Sequence, residues 1–271
     1  MRGRIRLDQL VIERGLAETR ARAAALLLAG HVRVGSGDAA RLDRKPGDLV
    51  ASDTPLSLRR QAPFVSRGGE KLAAALDAFG VDPRDRVCLD VGASTGGFTD
   101  CLLQRGARRV YALDVGRGQL AVALRADPRV IALERTHARR LRPSDPDHLA
   151  LPEAPSLIVA DVSFIRLSGL LPAIVAPLAP GGEVVALVKP QFEAEPGEVQ
   201  RGVVRDPAVH RAAVARVAAA AQELGLAVAG EVTSPLLGPA GNREWFLRLR
   251  APDLETTAGA GTAAGAGRDG P

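Results

Sequence analysis

From residue 86 onward, short aliphatic runs recur with no polar alternation: RVCLDVG (86–92), RRVYALDV (108–115), RVIAL (129–133), SLIVADV (156–162) and GEVVALVKP (182–190). A strand with one face in water alternates apolar and polar residues, so an unbroken run implies cover on both faces. Helical stretches stand between the runs, notably 96–105 and 165–178. A long one at 206–225 precedes two last strands, near 226–233 and 245–250. Strand and helix in this alternation predict an open, mostly parallel, doubly wound α/β sheet.

Such sheets bind ligands outside the carboxyl ends of their strands, so polar residues there carry the candidate chemistry. The first run leads into DVGASTGGFTD, residues 90–100. Gly92, Gly96 and Gly97 permit close backbone approach, and a helix begins within the motif with its N–H groups aimed at the ligand. Asp114 closes the second run 24 residues after Asp90, where an acidic side chain can accept both hydroxyls of a ribose. The spacing G-x-x-x-G-G differs from G-x-G-x-x-G, and no G-K-[ST] is present to hold a triphosphate. S-adenosylmethionine, which has a ribose and no phosphate, fits. A purely structural tight turn is the alternative, and Asp114 weighs against it.

Only three lysines, Lys45, Lys71 and Lys189, accompany 33 arginines. Lys189 ends GEVVALVK, and Lys71 falls in the first turn of a helix read as EKLAAALDAFG, where the helix dipole disfavours a cation. Asp161 ends SLIVAD and Glu244 opens EWFLRLR, so two amines and two carboxylates can converge on one pocket. Moving a methyl group to a weakly acidic hydroxyl requires removal of its proton as the bond forms. An amine can take that proton, whereas a guanidinium stays charged. Lys189 is therefore the candidate base, with Lys71, Asp161 and Glu244 tuning and orienting it. Two ordinary buried ion pairs are the plainer alternative.

Charge divides the chain. Residues 1–60 hold 12 of the 36 Lys and Arg and 7 of the 31 Asp and Glu, leaving 24 of each sign for residues 61–271. An excess of +5 confined to the first fifth suggests a polyanion-binding attachment, with nucleic acid the foremost polyanion. Leu7, Leu10 and Val11 recur at helical spacing before Gly15. Thr19 reads as the cap of a second helix, with Arg20 and Arg22 in its first turn and Gly30 at its end. HVRVGSG and KPGDLV follow as strand-and-turn segments.

The stretch RLDQLVIERGLAETRARAAALLLAGHVRVG followed by KPGD resembles the small RNA-binding domain shared by a small-subunit ribosomal protein, pseudouridine synthases and tyrosyl-tRNA synthetases. The resemblance implies RNA contacts from Arg20, Arg22, His31 and Arg33 and, more loosely, Arg4 and Arg6, with Arg67 beyond the connector added to the set. Pro63 and the glycine pair at 68 and 69 are expected to break regular structure. The expected organisation is a small α+β RNA-binding domain over 1–60, a linker over 61–66, the sheet domain over 67–252 and a disordered tail over 253–271, of low complexity from Thr256.

Lys71, Asp161, Lys189 and Glu244, in that order with DVGASTGGF, resemble the K-D-K-E tetrad and cofactor loop of the FtsJ-like ribose 2′-O-methyltransferases. With VSRGGEKL, DVSFI, LVKPQFE and GNREWF in place and the basic module in front, residues 4–250 resemble the TlyA family. Its members methylate ribose 2′-hydroxyls of cytidines in 16S and 23S ribosomal RNA. The resemblance implies a Rossmann-like methyltransferase sheet and cofactor contacts from Asp90, Gly92, Ser94, Thr95, Gly96, Gly97, Phe98, Asp114, Val115 and Asp161. The implied partner is ribosomal RNA, within ribosomal subunits. There are departures: His137 in ERTHAR stands where the family commonly has asparagine, and Pro63 and Phe64 stand where some members carry a tryptophan-containing linker. A base methyltransferase, the first rival, more often shows an Asn-Pro-Pro-Tyr-like or cysteine motif where this chain has DVSF. A non-catalytic RNA-binding assembly factor with a vestigial cofactor pocket, the second, stays open, although the intact glycines and complete tetrad speak against it.

Cys88 and Cys101 fall in apolar stretches, and four scattered histidines form no cluster with them, so no metal is expected. The apolar stretch AAALLLAG is far shorter than the roughly 20 residues of a membrane span, and charges interrupt MRGRIRLDQL where a leader's apolar core would run. A soluble cytoplasmic monomer is expected.

Overall fold

The aliphatic runs become the strands of a seven-stranded sheet. The computed structural model describes residues 3–37, 40–58, 63–195 and 197–253; residues 61 and 62 of the expected linker, and all of the expected tail but Asp253, lie outside them. The chain divides into two compact units, residues 1–62 and 63–271.

In the first unit, β1 (Arg4–Arg6) pairs antiparallel with β3 (Leu49–Ala51), and β2 (Val32–Val34) with β4 (Leu56–Leu58). Helices α1 (Leu7–Glu13) and α2 (Arg20–Leu28) pack on each other. Leu7, Leu10, Val11, Ala23, Leu27 and Val32 form the core between these elements. The Thr19 hydroxyl accepts from Arg22 N at 3.2 Å, capping α2 as its position implied. Asp8 is buried yet charged, because Arg6 (2.9 Å) and Arg20 (3.0 Å) both donate to it. Those guanidinium groups, Arg6 foremost, hold its carboxyl at about 2.

In the second unit the strands are β5 (Val87–Val91), β6 (Arg109–Leu113), β7 (Val130–Leu133), β8 (Leu157–Ala160), β9 (Glu183–Val188), β10 (Ala227–Thr233) and β11 (Trp245–Arg250). Their spatial order is β10-β11-β9-β8-β5-β6-β7. The five strands β5 to β9 are parallel, and β11 is antiparallel to both its neighbours. Helices α3 (Arg67–Phe79), α4 (Gly97–Gln104) and α5 (Val122–Arg125) cover one face through Leu72, Leu76, Phe98, Leu102 and Leu124. On the other face, α6 (Leu167–Ile174) and α8 (Pro207–Glu223) contribute Leu170, Leu171, Val214 and Val217. Along β9 Val184, Ala186 and Val188 face the second layer and Val185 and Leu187 the first, which is why the run lacks polar alternation.

One expectation is corrected. Gly68 and Gly69 do not break the pattern; they lie within the first turn of α3, which starts at Arg67, so Lys71 sits beyond the first turn. A Cβ on Gly69 would stand 2.3 Å from the Phe64 ring, and one on Gly97 would stand 2.2 Å from Ser66 Oγ. These glycines serve close packing of α3, α4 and the connector, and packing overrides their low helix propensity. The connector is also tied down by polar contacts, Val65 N donating to Asp100 Oδ2 and Gln104 Nε2 to Pro63 O.

Candidate active site

Strand order reverses between β5 and β8, and the crevice opens where their carboxyl ends diverge. Gly92 follows β5 at φ +86°, and a Cβ there would lie 2.4 Å from Asp161 O, so only glycine lets the two strand ends approach this closely. Ser94 also adopts a left-handed conformation, at φ +50°. Its N–H donates to Asp114 Oδ2 (2.8 Å) while Gly116 N donates to Asp114 Oδ1 (2.6 Å). Both carboxylate oxygens are thereby fixed in position, each with a lone pair remaining for a ligand hydroxyl.

Two adjoining cavities share Gly92, Ser94 and Asp161. The larger, about 510 Å³, runs beside Asp114 and Val115 and is walled by apolar side chains that include Leu113, Ile165 and Leu170. Its shape and chemistry suit an adenosyl group: an apolar slot for a base and a fixed carboxylate for a ribose. The smaller, about 230 Å³, lies against Thr95, Gly97 and Phe98 and contains Lys71, Lys189 and Glu244 as well as Asp161. Asp161 and Lys189 each follow their strand by one residue and Glu244 precedes β11 by one, which brings all three to the same sheet edge.

There they form two pairs. Lys71 Nζ lies 2.5 Å from Glu244 Oε2, with both side chains nearly inaccessible. Lys189 Nζ lies 2.5 Å from Asp161 Oδ1 and donates to Ser163 Oγ at 2.7 Å. Asp161 thus faces the Lys189 amine as its ion-pair partner, and Ser163 accepts its hydrogen bond. Buried Glu193, on the short helix α7 (Pro190–Glu193), accepts from Leu167 N (2.5 Å) and Ser168 Oγ (2.7 Å). This contact ties the segment after Lys189 to the segment after Ser163.

Two of the candidate cofactor residues lie behind the wall. Asp90 is fully buried; Thr99 Oγ1 donates to its Oδ2 at 2.7 Å, and Oδ1 has no hydrogen-bond partner among the described residues. Burial pushes its carboxyl up to about 7. Gly96 faces inward, where a Cβ would meet Leu124 at 2.3 Å. Arg67 lines the smaller cavity. In the first unit Arg4, Arg6, Arg20, Arg22 and Arg33 are exposed and His31 is half-buried. The thiols of Cys88 and Cys101 are buried and pushed up to about 12 by burial, which fits packing and opposes nucleophilic use. No group of metal-ligating side chains occurs among the described residues.

Sequence reasoning missed Thr136, Ser163 and Phe164 on the larger cavity and Ser66 and Pro239 on the smaller. Phe164 is the most conspicuous, 92% exposed at φ +64°, a conformation a bulky residue rarely adopts. The signal was the placement of DVSFI directly after a strand end, where exposed residues face the crevice. His137, noted as a departure, lines the larger cavity, and its Nδ1 accepts from Arg139 N at 3.1 Å.

Comparison with known proteins finds relatives along most of the chain. The FtsJ-like methyltransferase family model matches residues 64–251. The 16S/23S rRNA (cytidine-2'-O)-methyltransferase TlyA of Mycobacterium tuberculosis is 48% identical over 253 residues, covering 92% of this chain and 91% of its own. The 23S rRNA (cytidine-2'-O)-methyltransferase TlyA of Campylobacter jejuni is 34% identical, covering 75% and 78%. A solved structure from Streptococcus thermophilus, provisionally assigned as a hemolysin, is 40% identical with a TM-score of 0.67, covering 95% of this chain and 93% of that one. No helix among the described residues is long and apolar enough to cross a membrane. The chain belongs to the FtsJ-like, S-adenosylmethionine-dependent methyltransferases and, within them, to the TlyA family.

Proposed function

We propose that this protein methylates ribose 2′-hydroxyls of cytidines in 16S and/or 23S ribosomal RNA, acting on ribosomal subunits. The observation that carries the reading is the convergence of Lys71, Asp161, Lys189 and Glu244 in a cavity that adjoins the adenosyl-sized cleft. Asp114 would hold the ribose of S-adenosylmethionine, Gly92 and Ser94 would let its sulfonium end approach, and Thr95, Gly97 and Phe98 would border its amino-acid end. Bound S-adenosylmethionine supplies an electrophilic methyl group.

Lys189 meets the 2′-hydroxyl and, as the neutral amine left once it has released a proton to solvent at the cavity mouth, takes up the hydroxyl proton as the oxygen bonds to the methyl carbon. Asp161 and Ser163 fix the position of Nζ, and the Lys71–Glu244 pair walls the opposite side of the cavity and keeps a second cation near the reacting oxygen. The N-terminal module grips structured RNA through Arg4, Arg6, Arg20, Arg22, His31 and Arg33, and Arg67 meets the RNA at the catalytic mouth.

The deciding experiment is transfer of labelled methyl from S-adenosylmethionine to purified ribosomal subunits, with mapping of alkali-resistant ribose positions. Label at cytidine 2′-hydroxyls is expected; label on bases, or none, refutes the reading. Lys189→Arg should lower turnover at least 1000-fold, of the order of a lost proton-transfer group (~10²–10⁴-fold), with cofactor affinity intact by calorimetry. Normal turnover in that variant sinks the base assignment.

A further inference from the structure

A third hollow, of about 650 Å³, opens between the start of α8 and the loop leading into β11. Arg205, Arg211 and Arg243 line it together with His210 and Trp245. All three arginines are exposed, and none has a hydrogen-bond or ion-pair partner among the described residues. Elsewhere in this unit arginines are commonly paired: Arg86 and Arg248 on Glu183, Arg166 and Arg216 on Glu195. The two acids adjacent to them in sequence are engaged elsewhere: Asp206 caps α8, accepting from Ala208 N at 2.7 Å, and Glu244 is paired with Lys71.

The hollow has a fixed floor. Asn242 is buried; its Oδ1 accepts from Val204 N (3.0 Å) and its Nδ2 donates to Gly202 O (2.8 Å), clamping the segment that carries Arg205 to the one that carries Arg243. His210 stays beside this clamp through Val204 O (3.0 Å), and its ring centroid lies 5.0 Å from that of Trp245. Three like charges lining one hollow, with no carboxylate paired to any of them among the described residues, repel one another, an arrangement that an anion relieves. Guanidinium forks match phosphate oxygens in geometry as well as charge. Glu244 lies between Arg243 and Trp245 in sequence, so the hollow starts one residue, about 3.8 Å of backbone, from the catalytic cavity. Pro239 borders that cavity and Leu237 the hollow.

We propose that this hollow holds the backbone phosphates of the RNA strand beside the nucleotide being modified. The proposal rests on RNA being the substrate and adds a phosphate-binding station on the catalytic unit, separate from the N-terminal module.

The test compares the full-length protein with an Arg205→Gln, Arg211→Gln, Arg243→Gln variant in binding 16S and 23S rRNA transcripts across a salt series. Each lost phosphate contact flattens the plot of log affinity against log salt by roughly 0.7–0.9. The variant should bind at least about tenfold more weakly near 0.1 M salt, with a slope shallower by about 2. Its affinity for S-adenosylmethionine and its melting temperature should be unchanged, and the corresponding triple lysine variant should recover the slope. An unchanged slope overturns the proposal. So does a parallel loss of cofactor affinity and thermal stability, which makes the cluster structural, or an equal loss of affinity for polyglutamate, which makes the partner an acidic protein. Methyl transfer is not read here, so its absence in the parent protein would sink the functional reading and leave the salt slope to judge the hollow.

Discussion

Asp90 opens the glycine-rich motif, yet its carboxyl faces the interior, with one oxygen on Thr99 and the other without a hydrogen-bond partner among the described residues. Its folded-state value of about 7 stands above the ordinary 3.8, so between those values the folded chain keeps a proton that the unfolded chain has released. Stability therefore falls as pH rises from about 4 to about 7. Asp90→Asn keeps an acceptor for Thr99 and cannot ionise, so urea denaturation at pH 5 and pH 8 should show a smaller stability gap than in the parent protein. An equal gap would mean that Asp90 is already ionised in the folded chain at pH 5, as it is in the unfolded one. Spacing pointed to DVGASTGGF as a candidate ligand loop, but could not say that Asp90 and Gly96 lie behind the cavity wall while Gly92 and Ser94 line it. That distinction depends on the backbone reversal at Gly92 and Ser94, which local sequence encodes only as permission for positive φ.

At the scale of elements, α2 carries two arginines with different duties. Arg20 donates to buried Asp8, whereas Arg22 is exposed with no side-chain partner among the described residues. Arg22→Glu should weaken rRNA binding at least fivefold, somewhat more than one neutralised contact costs in a salt series (~3-fold between 50 and 200 mM), and leave melting unchanged. Arg20→Glu should weaken binding and lower the melting temperature as well, because a buried carboxylate loses a partner and gains a like charge. Both variants should keep cofactor affinity; equal loss of RNA and cofactor binding would contradict the division of labour. The two helices of this module were legible from their caps and spacing. Strands β1 and β4 were not, since three residues are too few to show a period. The start of α3 was misplaced because glycine normally ends helices, and only the packed partners Phe64 and Ser66 reveal why it begins one here.

Across the whole molecule, the cores of the two units share no residue. Calorimetry should resolve two unfolding transitions, and S-adenosylmethionine should raise only the one belonging to the larger unit, since a ligand stabilises what it binds. A single transition shifted as a whole would show the units to be thermodynamically coupled. The large sheet was the most legible part of the chain, because burial on both faces writes itself as uninterrupted aliphatic runs. The pairing of tetrad members was not, since which amine meets which carboxylate depends on strand order. That order places β11, the last strand among the described residues, between β9 and β10 rather than at an edge, and Glu244 stands at its threshold. Lys71, Asp161 and Lys189 all precede the fourth partner in the chain, Lys189 by 55 residues. A chain cut before residue 244 would keep those three side chains and lose both the strand inserted between β9 and β10 and the counter-charge of Lys71.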